Sequence, residues 1–218
     1  MKILCVSDQI DPLVYSNSIK ERFSHIDLVL CAGDLPLDYL DFIISSLNKP
    51  LLFVFGNHHI EDMHYFFPFV NNPLTESAVN RYSGGIHINA KMVTEQGLII
   101  AGFGGSMRYN RGPNQFSNFM MYIKILKLIP SLLINKIFRG RYIDILLTHA
   151  PPEGIHDRPD ICHRGFKAFR WFINAFKPKY LVHGHIHLYD LSDVRITHCK
   201  NTLVVNAYSH YIIDTETQ

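Results

Sequence analysis

The sequence has no apolar run of about 18 residues, the shortest length that predicts a membrane-spanning helix. It also has little net charge, +2 over 218 residues with histidine counted as neutral. A protein that binds nucleic acid through a basic surface usually carries a larger positive excess. The composition therefore predicts a globular protein with no transmembrane segment and no strong nucleic-acid signal.

Cysteine is scarce, and its four positions form no spacing typical of a metal or redox motif. Cys5 and Cys31 lie inside apolar segments, where they are expected to be small buried hydrophobic residues. The chain enters such a segment at its N-terminus, without the pattern of a signal peptide. These features together predict a reduced, cytoplasmic compartment.

Short apolar segments alternate with helical patterns in the first half of the chain. Strands are predicted at 2–6, 27–31 and 51–55, with helices near 16–23 and 37–48 between them. This alternation favours a layered α/β fold. The second half is predicted to contain a helix near 165–176 and strands at 98–101, 143–147, 179–183, 194–198, 202–206 and 211–213.

The chain contains no repeats, low-complexity tracts or linker, so a single domain is predicted over residues 1–218. Two segments interrupt the alternation. Residues 60–96, which include Pro68 and Pro73, are predicted to form an irregular insertion with one short helix. Residues 114–138 are predicted to be helical, with a break at Pro130.

This helical segment is unusually apolar and contains no acidic residue between positions 116 and 143. Its basic residues are Lys124, Lys127, Lys136, Arg139 and Arg141. Packing against the core is the favoured interpretation. An exposed side would instead indicate a homo-oligomer interface over residues 116–141, or contact with a membrane surface.

Polar residues of the types that bind metals follow five of the apolar segments. They occur in Asp8, Gly33-Asp34, Gly56-Asn57-His58, Thr148-His149 and Gly184-His185-Ile186-His187. A single Asp or Asn after a strand is more often a turn residue. Open α/β sheets place their sites at the carboxyl ends of strands, so several such residues together predict a metal site there.

In this order the motifs resemble those of the calcineurin-like metallophosphoesterase superfamily, D-x-H, G-D, G-N-H-D/E, H and G-H-x-H. The resemblance extends from Met1 to about Tyr208. It implies a four-layer α-β-β-α sandwich of two mixed β-sheets flanked by helices. It also implies two divalent metal ions, with Mn, Fe or Zn favoured by the ligand types.

The resemblance assigns the metal ligands position by position. Asp34 would bridge both metals, with the first also held by Asp8 and His187 and the second by Asn57, His149 and His185. The catalytic residue would be His58, which would not bind metal but would protonate or stabilise the leaving oxygen. The implied reaction is hydrolysis of a phosphodiester or phosphomonoester by a metal-bound hydroxide. The substrate would be a phosphorylated small molecule or a nucleotide-like compound.

Two positions depart from the pattern of the superfamily. Ile10 replaces the His of the first motif, and His59 replaces the acidic residue of the third. Asp11 is either a replacement metal ligand, acting directly or through water, or a turn-forming residue before Pro12. The loss of the first-motif His also leaves open a catalytically impaired binding scaffold.

Three further residues are candidates for substrate binding. Arg108 and Tyr109 lie in a glycine-rich loop after a predicted strand, and Arg164 lies near the start of a predicted helix. Arginine matches the geometry of a phosphate group, which favours a substrate role. A plain surface loop is the alternative for the first two residues.

Overall fold

The computed structural model describes residues 1–58, 84–190 and 192–216. Residues 60–83, most of the predicted insertion, lie outside the described residues. The short helix predicted within the insertion does not occur in the part described, 84–96.

The first sheet is built mainly from strands in the N-terminal half of the chain. Its members are β1 (Lys2–Ser7), β2 (Leu28–Cys31), β3 (Leu51–Phe53), β4 (Ile86–His87) and β13 (Ser209–Asp214). The order across the sheet is β13-β1-β2-β3-β4. β1 to β4 are parallel, and β13 joins the edge of β1 in the antiparallel direction.

The second sheet contains six strands. They are β5 (Lys91–Glu95), β6 (Leu98–Phe103), β9 (Ile145–Thr148), β10 (Tyr180–His183), β11 (Ile196–Cys199) and β12 (Thr202–Asn206). The order is β11-β12-β10-β9-β6-β5, with a parallel centre and antiparallel edge strands. The segment of sequence between β6 and β9 contains two short strands, β7 (Ser106–Met107) and β8 (Gln115–Phe116), which form a separate parallel pair.

Helices cover the outer face of each sheet. The first sheet is covered by α1 (Ile19–Phe23) and α2 (Leu37–Leu47), and the second by α3 (Asn118–Leu126), α4 (Ile129–Arg139) and α5 (Lys167–Phe176). None of the helices described combines the length and apolar character that a membrane crossing needs.

Side-chain alternation along the strands separates three apolar layers. In β1, Leu4 and Val6 pack with α1 and α2, while Ile3 and Cys5 face the other sheet. The central layer between the sheets includes Leu147 of β9. The third layer lies between the second sheet and α3 to α5. The four-layer α-β-β-α sandwich predicted from the sequence is therefore confirmed.

Several element boundaries differ from the predictions. The helical segment begins at Asn118, not near residue 114, and divides into two helices with Pro130 in the first turn of the second. Proline is tolerated there because the first backbone N–H groups of a helix have no partner within it. Residues 86–87 and 91–95 of the predicted insertion are strands that extend both sheets.

We expect Leu147→Ala to lower the free energy of unfolding by ~2–5 kcal/mol, because it opens a cavity between the two sheets. Leu147 is fully buried there. Chemical denaturation followed by circular dichroism measures the change. Ile137→Ala is the matched control, since Ile137 is 75% exposed on α4. Equal losses for both variants would contradict a core between the sheets.

Candidate metal centre

The carboxyl ends of parallel strands from both sheets meet at one edge of the sandwich. Asp8 directly follows β1, Asp34 follows β2, and Asn57 follows β3. From the second sheet, His149 directly follows β9 and His185 follows β10. Sequence reasoning placed these residues at strand ends, and the structure brings them together.

The tightest group consists of Asp34, His149 and His185, whose ligand atoms all lie within 4.8 Å of one another. All three residues are buried. His149 Nε2 is 3.3 Å from Asp34 Oδ2 and 3.1 Å from Asn57 Oδ1. Carboxylate, imidazole and amide oxygen form a donor set suited to a divalent metal ion.

Asp8 and His187 form a second group at the same edge. His187 Nε2 lies 3.7 Å from Asp8 Oδ1, too far for a hydrogen bond. Asp8 Oδ1 is buried and has no hydrogen-bond partner among the described residues. Asp8 Oδ2, by contrast, accepts bonds from Ser7 Oγ at 2.5 Å and from the backbone N–H of His185 at 2.9 Å. A buried carboxylate oxygen without a partner is costly, and a bound cation would remove that cost.

Each of the three histidines has one ring nitrogen held by an oxygen atom. His149 Nδ1 lies 2.8 Å from the carbonyl oxygen of Ala32, and His185 Nε2 lies 2.8 Å from that of Cys162. His187 Nδ1 is hydrogen-bonded to the hydroxyl of Tyr189. The opposite nitrogens of His149 and His187 face Asp34 and Asp8, respectively. Histidines that bind metals are usually oriented by such a bond from their other nitrogen.

The two buried histidines of the tight group carry opposite pKa shifts. Burial lowers the pKa of His149, but the adjacent Asp34 carboxylate outweighs burial and raises the value to about 9. Burial together with the His149 charge lowers the pKa of His185 to about 4. In the metal-free protein, His149 therefore supplies a positive charge to the carboxylates, while His185 stays neutral.

Three of the candidate ligands have a backbone conformation that L-residues rarely adopt. The φ angles are 64° for Asp8, 54° for Asp34 and 67° for His185. Asp and His tolerate this left-handed region better than most residues do, yet it remains uncommon. Such conformations persist where the surroundings fix them, and they often occur at functional sites.

Glycines next to the ligands allow the chain segments to approach closely. A Cβ atom on Gly56 would lie 2.0 Å from Asp34 Oδ1 and 2.6 Å from His149 Cε1. A Cβ atom on Gly184 would lie 2.4 Å from Asp8 Oδ2. Both motif glycines therefore occupy positions where any side chain would displace a candidate ligand.

The predicted substrate residues have different surroundings. The hydroxyl of Tyr109 accepts a hydrogen bond from Asn57 Nδ2 at 3.1 Å, so Tyr109 contacts a candidate ligand. Arg108 Nη2 lies 3.5 Å from the carbonyl oxygen of Gln115 and 3.4 Å from Met120 Sδ, contacts that hold it against its own loop and α3. Arg164 is exposed on the segment before α5.

His58 lies at the surface of the site, and its backbone N–H donates to Asp34 Oδ1 at 3.0 Å. The side chain is exposed, as required of a group that would contact substrate and not metal. His59, the other departure in this motif, lies outside the described residues.

Asp11, the candidate replacement ligand, uses both carboxylate oxygens within the protein. Oδ1 accepts from the backbone N–H of Leu13 at 2.8 Å. Oδ2 accepts from Ser209 Oγ at 2.5 Å and lies 2.6 Å from His210 Nδ1. These bonds fix the loop after β1 onto β13, which matches the turn-forming interpretation. A ligand role for Asp11 stays a prediction, and it would require these bonds to be exchanged.

Sequence reasoning missed the residue that attaches the Tyr109 loop to the site. Asn114 Nδ2 donates to the carbonyl oxygens of Phe55 and Gly56, at 3.1 and 2.6 Å. The Gly112-Pro113-Asn114 sequence predicts a turn, but nothing in it indicates a partner almost 60 positions earlier.

We expect Gly56→Ala to weaken Mn²⁺ binding by at least about tenfold, because the added methyl group would displace Asp34 or His149. Isothermal titration calorimetry on chelator-treated protein measures the affinity. Gly140→Ala is the control, since its Cβ would meet nothing within 4 Å. Gly140 has a φ of 71°, so this control also carries a backbone strain that Gly56→Ala does not. Unchanged Mn²⁺ affinity in Gly56→Ala would contradict binding at this edge.

Comparisons with known proteins identify the family and the fold. The profile of the calcineurin-like phosphoesterase family matches residues 1–189. One solved structure aligns with a TM-score of 0.70 at 13% identity, covering 100% of this chain and 96% of the other.

Two further structures share the fold at low sequence identity. The TT1561 protein of Thermus thermophilus has a TM-score of 0.62 at 13% identity, covering 95% of this chain and 88% of its own. GAP50, described as the anchor in the inner membrane complex of Plasmodium, has a TM-score of 0.54 at 9% identity, covering 94% and 70%. No curated protein matches the sequence significantly. The profile match over most of the chain shows that this protein belongs to the calcineurin-like phosphoesterase family.

Proposed function

We propose that the protein is a metal-dependent phosphoesterase that hydrolyses a phosphodiester or phosphomonoester at a dinuclear metal centre. The observation that carries the proposal is the set of histidines each fixed through one ring nitrogen, with His149 and His187 directed at buried carboxylates. A structural cluster of histidines would not need a buried carboxylate oxygen left without a partner.

We assign the candidate ligands to two metal positions, and Asp34 would contribute to both. Asn57, His149 and His185 would hold one ion, and Asp8 and His187 would hold the other. When bound, two divalent ions supply hydroxide at neutral pH and neutralise the phosphoryl oxygens. The nitrogen and oxygen donors suit Mn, Fe or Zn, and among these we propose Mn as the working metal.

His58 would serve as the acid that protonates the leaving oxygen. Its backbone N–H is bonded to the candidate ligand Asp34 and the residue is exposed, and both observations support this role. A proton donor must reach the substrate while remaining free of metal, and the exposure of His58 satisfies both conditions.

Tyr109 would act as a positioning residue. Its hydroxyl accepts from Asn57 Nδ2, which leaves the amide oxygen of Asn57 directed at His149 Nε2. An amide that rotated by half a turn would present its NH₂ group to the metal instead, and an NH₂ group cannot act as a ligand. The hydroxyl of Tyr109 therefore selects the rotamer that can bind metal.

The substrate class we propose is a phosphorylated small molecule or nucleotide-like compound. Arg164 is exposed and available for a phosphate group, whereas Arg108 would have to leave its contacts with Gln115 and Met120. A cytoplasmic location belongs to the same proposal, and the four free cysteines support it.

A catalytically impaired binding scaffold is the second candidate. It is favoured by the first motif, where Ile10 cannot bind metal and the Asp11 carboxylate is occupied by Leu13, Ser209 and His210. The first metal position then has fewer protein ligands than the second.

Hydrolysis of bis-p-nitrophenyl phosphate tests the proposed activity. We expect chelator-treated protein to be inactive and added Mn²⁺ to restore turnover. His58→Ala should lower kcat by ~10²–10⁴-fold, because it removes the proposed general acid. Mn²⁺ affinity should be unchanged, since His58 is not a proposed ligand.

The control for this experiment is His25→Ala, a histidine exposed on the segment between α1 and β2. If the Mn²⁺-loaded protein hydrolyses neither this diester nor p-nitrophenyl phosphate, the scaffold becomes the better proposal. Full activity in His58→Ala would contradict the acid role alone.

We expect Tyr109→Phe to weaken Mn²⁺ binding by ~10–100-fold, because the Asn57 amide loses the acceptor that fixes its rotamer. Calorimetric titration measures the affinity, and Tyr15→Phe is the control because Tyr15 packs on Tyr39 and Phe42, beside α2. A tight-binding Tyr109→Phe protein would show that the hydroxyl is dispensable for positioning.

A further inference from the structure

Helices α3 and α4 expose many apolar side chains to solvent, and this exposed side is here named the α3–α4 face. It consists of eight side chains that are 39–81% exposed: Phe119, Met120, Ile123, Leu126, Leu133, Ile134, Ile137 and Phe138. Isolated exposed apolar residues are normal in a globular protein. Eight such side chains on two consecutive helices instead indicate a binding surface.

Helix α4 differs from an ordinary core helix. Within α4, Leu132 is the residue that reaches full burial, although the helix contains several other large apolar residues. Helix α5, by contrast, buries a full stripe that includes Phe169, Phe172 and Phe176. The apolar residues of α4 are therefore directed largely away from the core.

Basic residues accompany this apolar surface. Lys127, Lys136 and Arg139 are exposed, and there is no acidic residue between positions 116 and 143. Lys136 Nζ donates to the carbonyl oxygen of Gly140, and Arg139 Nη1 donates to Thr94 Oγ1, so the partners of both cations are neutral. Arg141 instead pairs with Asp144, and Lys124 lies over the Phe116 ring. Three exposed cations without an acidic partner among the described residues, on the same two helices as eight exposed apolar side chains, make this part of the surface amphipathic and positively charged.

An open cleft of about 340 Å³ lies at the C-terminal end of α4. Its lining includes Lys136, Arg141, Tyr142, Phe176 and Lys177. Cationic and aromatic groups at the edge of an apolar surface suit an anionic headgroup whose acyl chains lie against the neighbouring apolar residues.

We propose that the α3–α4 face docks the protein on the surface of an anionic lipid bilayer. The apolar side chains of α3 and α4 enter the boundary between headgroups and acyl chains, and the exposed cations contact lipid phosphates. A second copy of the chain is disfavoured as the occupant, because pairing two α3–α4 faces would bring like charges together. The helices lie on the bilayer and do not cross it.

The α3–α4 face connects to the candidate metal centre through one loop. Arg108 contacts Met120 of α3, and the next residue, Tyr109, bonds to Asn57. Docking would therefore hold the mouth of the site near the bilayer. The proposal itself does not depend on catalysis and can be tested without a substrate.

Vesicle co-sedimentation of the intact, metal-free protein tests the docking. We expect partition to vesicles of phosphatidylcholine mixed with phosphatidylglycerol, much weaker partition to phosphatidylcholine alone, and loss of binding at high salt. We expect two double variants to bind at least about tenfold more weakly. Ile137→Ser/Phe138→Ser removes apolar area that would enter the bilayer, and Lys127→Glu/Lys136→Glu reverses two charges.

Matched controls distinguish binding through the α3–α4 face from a general surface effect. Val194→Ser removes an apolar side chain that is 59% exposed elsewhere, and Lys20→Glu/Arg22→Glu reverses two charges on α1. Both controls should bind vesicles like the unaltered protein. Absence of binding to anionic vesicles would overturn the proposal, as would equal losses in the controls. A dimer in solution that Phe138→Ser dissociates would identify a second copy as the occupant and would also overturn it.

Discussion

The structure depends on the negative charge concentrated where the two sheets meet. Asp8 and Asp34 lie within a buried edge, and a carboxylate removed from water must be compensated by hydrogen bonds or by positive charge. Asp34 is compensated in part by the His58 backbone and by a protonated His149. Asp8 keeps one buried oxygen without a hydrogen bond among the described residues. Two further features maintain this arrangement of charge. They are the strained backbones of Asp8, Asp34 and His185, and the glycines that allow the chain segments to approach closely.

In the proposed dinuclear centre, the two groups of candidate ligands are not equally well oriented. His149 and His185 are buried and oriented by backbone carbonyl groups, whose positions are fixed by the fold. His187 is oriented by the hydroxyl of Tyr189, a largely exposed side chain. Ile10 adds no ligand on that side. The half that contains Asp8 is therefore expected to bind its metal more weakly, which is the physical basis for considering a scaffold beside an enzyme.

Most of the fold could be predicted from the sequence, because buried parallel strands appear as short continuous apolar runs and helices as longer amphipathic segments. The grouping of Asp8, Asp34, Asn57, His149 and His185 could also be predicted, since the carboxyl ends of parallel strands share an edge. Contacts that depend on loop conformation could not. Three such contacts join residues far apart in the sequence. They are the bond between Tyr109 and Asn57, the bond from Asn114 that anchors the same loop, and the bonds of Asp11 to β13. No local pattern records such pairings. The exposed side of α4 was equally ambiguous, because an apolar helix has the same sequence signature whether it packs on a core or on another surface.

Because β1 pairs with β13, the order of synthesis determines when this part of the protein can fold. Asp11 leaves the ribosome 198 residues before its partner Ser209, and β1 likewise precedes the strand that pairs with it. Domains tend to fold as units once their sequence has emerged. The half of the centre around Asp8 therefore cannot take its final form until β13 has been synthesised and released. This half of the centre can therefore form only after β13 has been translated. A chain interrupted before β13 would leave β1, a highly apolar strand, with an exposed and unpaired edge that chaperones and proteases recognise.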